Sequence, residues 1–215
     1  MAGDLTSAIN QAISICWNEN YGYRLGGMAL SYADGVDCSG LIGRVLHDNG
    51  FNYPAYHVGT INMGSYLINA GFTEYNYTNT FPLQSGDIVV MNHLDMTGGH
   101  TFFYVEDIEA YTDPSAYSAN TSVVHRVKVE ASDYRGHHAQ GDSRRNGTGA
   151  YWEVWVHAFY EPPVQGYDPS DPNDSVKVYR YPGGYQPNLN NFGAMLLMSL
   201  ISRSRIHVRR LKGII

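Results

Sequence analysis

Sulfur and charge are what this chain has least of. Two cysteines, Cys16 and Cys38, stand among 215 residues, too few for the disulfide framework that staples small secreted domains. Charged residues make up only 16%. No run of 18 apolar residues occurs, so no membrane span is expected. The N-terminus has no basic segment leading into a long apolar run, so no signal peptide is expected either. The HExxH spacing of helical zinc sites is also missing.

What is present points to one α+β domain. Hydrophobic residues reach 43%, enough for a core at this length. The 23 glycines and 18 tyrosines favour strands and loops. The net charge of −6 is uneven: residues 201–215 hold Arg203, Arg205, Arg209, Arg210 and Lys212 without an acid, which leaves −11 on the remainder. A body of that sign repels phosphate backbones, so no nucleic-acid partner is expected.

Apolar residues at helical spacing predict helices over 6–19, capped by Thr6 or Ser7, over 38–48, and over 60–70 with a stop at Gly71. Cys16 falls on the apolar stripe of the first and reads as a small buried hydrophobe. Strands are predicted at 87–92, 100–107, 122–132 and 151–160, with a last short one at 176–181. Helices first and antiparallel strands later is an α+β pattern. Long connections lie at 108–121, 133–150 and 161–175, and long loops in a compact domain are often functional. Past Tyr181 the text becomes linker-like, then apolar, then basic. The chain divides into a body, 1–182, and a tail, 183–215, expected either to dock on the body or to anchor it elsewhere.

Three places carry chemistry. In "DGVDCSGLIGRVL", Asp37 is positioned to cap the second helix and Cys38 falls in its first turn. A free thiol is mostly protonated at neutral pH, and a helix N-terminus or a neighbouring histidine raises the reactive thiolate fraction. Ser39 and Gly40 are small and leave room for a substrate. In "GGHTFFYVE", His100 opens a strand after two glycines, with Phe102 and Tyr104 on its face and Thr101, Phe103 and Val105 on the other. In "VKVEAS", Glu130 sits in an apolar strand, where a carboxylate is unfavourable unless paired; orienting a histidine is one use, a solvent-facing position the other.

These stretches, "YRLGG", "DCSG", "LQSGDIVVM", "GGH" and "VEAS", follow the order and rough spacing of the NlpC-type cell-wall cysteine peptidases, and the resemblance covers about residues 8–182. The later text, "WEVWVHAFY" to "VYRY", resembles the bacteriophage endolysin branch. The resemblance implies a papain-like fold with N-terminal helices packed on a central antiparallel β-sheet. It makes Cys38 the nucleophile, His100 the general base and Glu130 the third polar residue, with His125, His137 and His138 as rivals for that last role. Glu130 departs from the family's commoner His, Asn or Gln and is more like the related CHAP amidases. Tyr23, Asp37 and Ser39 become substrate-contacting residues, Tyr23 near the oxyanion.

The implied function is hydrolysis of an amide bond in peptidoglycan, by endopeptidase or N-acetylmuramoyl-L-alanine amidase action, without metal or other cofactor. The implied setting is a phage lysin. It is made in the host cytoplasm and acts on the wall after release or as part of a particle, with phage tail proteins as possible partners of residues 183–215. Two rivals stand beside this. One is a metal amidase using His93, Asp95, His100, His137 and His138. The other is a non-catalytic virion or wall-binding module on the same fold.

Overall fold

A computed structural model describes residues 2–17, 24–28, 35–95, 98–106, 126–132, 151–157 and 167–185. Three helices come first: α1 (Leu5–Trp17), α2 (Cys38–Asp48) and α3 (Thr60–Asn69). Six strands follow: β1 (Thr73–Asn76), β2 (Ile88–His93), β3 (Gly99–Glu106), β4 (Arg126–Ser132), β5 (Tyr151–His157) and β6 (Asp174–Arg180). They form one sheet in the order β1-β6-β2-β3-β4-β5, every neighbouring pair antiparallel. The α+β architecture expected from the sequence is therefore present. Among the described residues no helix is long and apolar enough to cross a membrane.

The sheet is covered on both faces. On one, Ile9 and Ile13 of α1 and Leu41, Ile42, Val45 and Leu46 of α2 pack against Ile88, Val90, Phe103, Val105 and Val129. On the other, Val89, Met91, Phe102, Tyr104, Val176 and Val178 form a second cluster under Tyr77, Phe81, Leu83 and Tyr167. A strand buried on both sides has no polar face to show. This is why "IVVMN" in β2 reads as a continuous apolar run instead of alternating.

Two local expectations are corrected. The cap of α1 is Asp4, not Thr6 or Ser7: its carboxylate accepts from the Ser7 N–H at 3.0 Å and the Ser7 hydroxyl at 2.7 Å, so the helix begins one residue earlier. Strand β1 was not predicted, because all four of its residues are exposed and a strand polar on both sides carries no periodic signal. It is an edge strand that pairs only with β6 among the described residues. The side chain of Cys16 lies outside the described residues, as do the loops 108–121 and 133–150.

Two remote contacts hold β6 in register. Arg180 grips Asp87, just before β2, through Nε to Oδ1 and Nη2 to Oδ2, both at 2.8 Å. Asp87 is buried, and its carboxylate also accepts from the Gln84 N–H, so the charge is fully engaged. Beyond β6, Tyr185 is buried in the helix-side core and donates to Asn10 Oδ1 at 3.2 Å. The packed body thus runs three residues into the segment read as tail, and residues 186–215 lie outside the described residues.

Candidate active site

Cys38 is the first residue of α2, and Asp37 is its N-cap, as the sequence predicts. Asp37 Oδ1 accepts from the Gly40 N–H at 2.7 Å, and Asp37 O accepts from the Leu41 N–H at 2.9 Å. The remaining first-turn donors, the N–H groups of Cys38 and Ser39, are those a helix cannot use internally. The second carboxylate oxygen, Oδ2, accepts from the Gly26 N–H at 2.7 Å. The Asp37 N–H donates to Gly27 O at 3.2 Å, and Met28 bridges Val36. The "RLGG" segment is thereby stapled beside the nucleophile. Gly40 is required by this approach, since a Cβ there would run into the Gly27 carbonyl oxygen.

His100 reaches the site from β3, in register with Met91 on β2. The second glycine of "GGH", Gly99, lets β3 pass beneath the start of α3: a Cβ there would collide with Thr60 Oγ1 and lie 2.6 Å from Asn92 Oδ1. His100 Nε2 is 2.7 Å from Glu130 Oε2 on β4. The imidazole also hydrogen-bonds the Cys38 side chain. With Nε2 committed to Glu130, the proton shared with sulfur travels on Nδ1.

The electrostatics follow from this packing. Cys38 and Glu130 are 7% and 4% exposed, and the His100 side chain 24%. Burial pushes the imidazole toward its neutral form. The charge of Glu130, the hydrogen bonds to Cys38 and Glu130, and the charge on Cys38 outweigh it, and the pKa of His100 is pushed up to about 10. His100 is thus a cation at neutral pH, held between a buried carboxylate and a sulfur at a helix N-terminus. An imidazolium and a helix N-terminus both favour thiolate over thiol.

The sequence-derived candidates divide as follows. Cys38, His100 and Glu130 are brought together. Asp37 and Ser39 lie beside them, but both side chains are buried and turned inward: Ser39 Oγ donates to Asp37 Oδ1 at 3.0 Å. Tyr23, His125, His137 and His138 lie outside the described residues. Among the described residues no group of three or more His, Cys, Asp or Glu side chains is placed to hold a metal ion, and His93 Nδ1 is 2.6 Å from Asp174 Oδ1.

Sequence reasoning missed His57. Its Nε2 lies 2.9 and 3.1 Å from the Asp37 carboxylate oxygens and 3.1 Å from Ser39 Oγ. The trio has the composition of a serine-protease triad but not its wiring. One nitrogen faces both Asp37 and Ser39, so the ring cannot take a proton from one side while held from the other. His57 therefore braces the cap of α2. No spacing rule links it to Cys38, since it arrives on the loop between α2 and α3. Tyr167, in the proline-rich connection, was likewise not singled out, yet it packs beside the site.

No curated protein sequence matches the chain. The model of the NlpC/P60 family matches residues 20–153, a span that holds Cys38, His100 and Glu130. The chain belongs to the NlpC/P60 family, whose members are cysteine peptidases that act on peptidoglycan.

Proposed function

We propose that the chain hydrolyses an amide bond in the stem peptide or cross-link of bacterial peptidoglycan, with Cys38 as nucleophile, His100 as general acid and base, and Glu130 as the residue that orients and charges His100. The observation that carries this is the 2.7 Å contact between His100 Nε2 and Glu130 Oε2, on an imidazole that also hydrogen-bonds Cys38 at the N-terminus of α2.

Cys38 thiolate adds to the carbonyl carbon of the scissile amide. The negative charge that develops on the carbonyl oxygen is met by the N–H groups of Cys38 and Ser39, which point out of the first turn. His100 passes its Nδ1 proton to the leaving nitrogen, and the C–N bond breaks to leave a thioester on Cys38. Now neutral, His100 takes a proton from water as the water attacks the thioester, and the acid product leaves with Cys38 restored as thiolate. Glu130 stays ionised throughout and stabilises each imidazolium stage. Asp37 and Ser39, buried beside Cys38, hold the first turn of α2 in place.

The setting we propose is that of a phage lysin, made in the host cytoplasm and acting on the wall after release or from the particle. Supporting it are the endolysin-like text of residues 151–182 and the +5 charge of residues 201–215, suited to an acidic face of a phage tail protein. Immunoblots of purified particles test this setting, and a protein found in lysates but never in particles removes the tail partner.

The test of the chemistry is digestion of purified peptidoglycan by the native protein and by Cys38→Ala, with fragments read by mass spectrometry. New amine ends from the native protein alone are expected. The fragment masses separate cleavage within the peptide from cleavage at the muramoyl amide. Equal digestion by both proteins would remove Cys38 from the mechanism, and digestion by neither would favour a binding module.

A further inference from the structure

Outside the three residues of the proposed mechanism, one cluster at the site has no assigned work. Tyr167 stacks on His93 with ring centroids 4.4 Å apart and planes 18° from parallel. His93 Nδ1 is 2.6 Å from Asp174 Oδ1. Asp174 Oδ2 in turn accepts from the Asp168 N–H at 2.8 Å, which ties down the backbone that carries Tyr167. The Leu94 N–H donates to Asn173 O at 2.7 Å, closing the loop 167–174 onto the end of β2. The His93 N–H donates to Gly98 O at 3.0 Å, and a Cβ on Gly98 would lie 4.0 Å from the Tyr167 hydroxyl and 3.6 Å from the His93 ring. Gly98 is two residues before His100. The phenol therefore stands at the edge of the His100 strand.

The polarity of the cluster can be worked out. The backbone hydrogen bond from Asp168 and the contact with His93 hold the Asp174 carboxyl below its ordinary range, so it is an anion and an acceptor. His93 must then carry its proton on Nδ1, which fixes the ring that Tyr167 lies on. Burial first, then negative charge on Cys38 and on Asp174, hold the Tyr167 phenol above its ordinary range. Tyr167 therefore remains protonated and acts as a hydrogen-bond donor. Its hydroxyl makes no hydrogen bond among the described residues. A half-buried donor, rigidly mounted, within electrostatic reach of the nucleophile and without an acceptor among the described residues, is arranged to meet a ligand.

We infer that Tyr167 is a substrate-binding residue of the Cys38 site, its hydroxyl donating to a peptide oxygen of the bound stem peptide next to the scissile amide, with His93 and Asp174 as its positioning residues. This rests on the hydrolase reading above and adds a contact from residues 167–174, beyond the 20–153 span that the family model matches. The requirement on the substrate is chemical: an acceptor oxygen within one residue of the cleaved bond. A stem-peptide carbonyl or side-chain carboxylate satisfies it.

The test compares native enzyme, Tyr167→Phe and Cys38→Ala on a soluble disaccharide-peptide prepared from the wall that the enzyme digests. Tyr167→Phe keeps the stack on His93 and loses only the hydroxyl. We expect kcat/KM to fall about tenfold, the value of one hydrogen bond, with most of the change in KM. The rate at which iodoacetamide alkylates Cys38 in the absence of substrate should stay the same, since the Cys38–His100 pair is untouched. Tyr167→Ala, which also removes the stack, should lose more. Cleavage abolished in Cys38→Ala but unchanged in Tyr167→Phe would overturn the Tyr167 assignment and leave the hydrolase reading standing. An equal loss of alkylation and cleavage in Tyr167→Phe would show a structural role and also overturn it. No cleavage by the native enzyme would overturn both.

Discussion

Replacing Glu130 with glutamine removes a charge and keeps a hydrogen-bond acceptor of the same shape, which isolates what the carboxylate does to His100. The gross attraction of unit charges 2.7 Å apart is roughly 6 kcal/mol at an effective dielectric of about 20. At about 1.4 kcal/mol per unit this corresponds to about 4 pH units of support for the imidazolium. Burial of the ring opposes it, and the balance, helped by Cys38, is the rise from 6.5 to about 10. With the charge gone, burial remains and the main opposing force does not. The His100 pKa should fall by at least about two units.

His100 must hold its proton to protonate the leaving amine, so activity is lost as pH rises through its pKa. In the native enzyme the alkaline limb of kcat/KM should therefore lie near pH 10 when set by His100, and in Glu130→Gln it should move toward neutrality. At pH 8 the variant should be slower by at least about twofold, since a fall of about two units leaves half of His100 without its proton there. Stability follows the same sign. A raised folded-state pKa contributes stability that is complete below the unfolded value of 6.5 and is lost as pH rises through about 10, so the variant's stability should depend less on pH across that window. The assay is a pH–rate profile on soluble muropeptide, paired with a ¹⁵N-histidine titration. An alkaline limb and a His100 titration both unmoved in Glu130→Gln would refute the coupling.

Two further predictions concern the scaffold. Arg180→Met should lower unfolding free energy by about 3–5 kcal/mol, because it strands the buried Asp87 carboxylate that Arg180 holds with two 2.8 Å bonds; denaturant unfolding checks this, and a loss within error of zero would mean that Asp87 is solvated. Gly40→Ala should destabilise the fold by about 1–3 kcal/mol, the range for overpacking, and slow alkylation of Cys38. Its methyl would push α2 away from the Gly27 carbonyl, and a variant with native stability and native thiol reactivity would contradict that close approach.

The sequence was most informative where a local rule sufficed. Helix α2 runs over the predicted residues 38–48 because Asp37 supplies the cap and Leu41, Ile42, Val45 and Leu46 supply one apolar stripe. The two faces of β3 separate as its alternation predicts, with Phe102 and Tyr104 in one cluster and Phe103 and Val105 in the other. The cap of α1 went to Asp4 instead of Thr6 or Ser7 because three of the four residues 4–7 qualify, and only the backbone path selects among them. The edge strand β1 had no periodicity to read, since all four of its residues are exposed.

Taken alone, the sequence determined that the chain folds as helices on an antiparallel sheet, that Cys38 opens a capped helix and that His100 opens a strand, because these depend on neighbours a few residues away. Only tertiary structure decided that Glu130 faces His100, that His57 braces Asp37 from 20 residues downstream, and that Tyr167 and Asp174 enclose His93. Those partners are joined by strand pairing and loop closure over tens of residues. Such contacts depend on how the whole sheet is ordered, and no local spacing of residues encodes them.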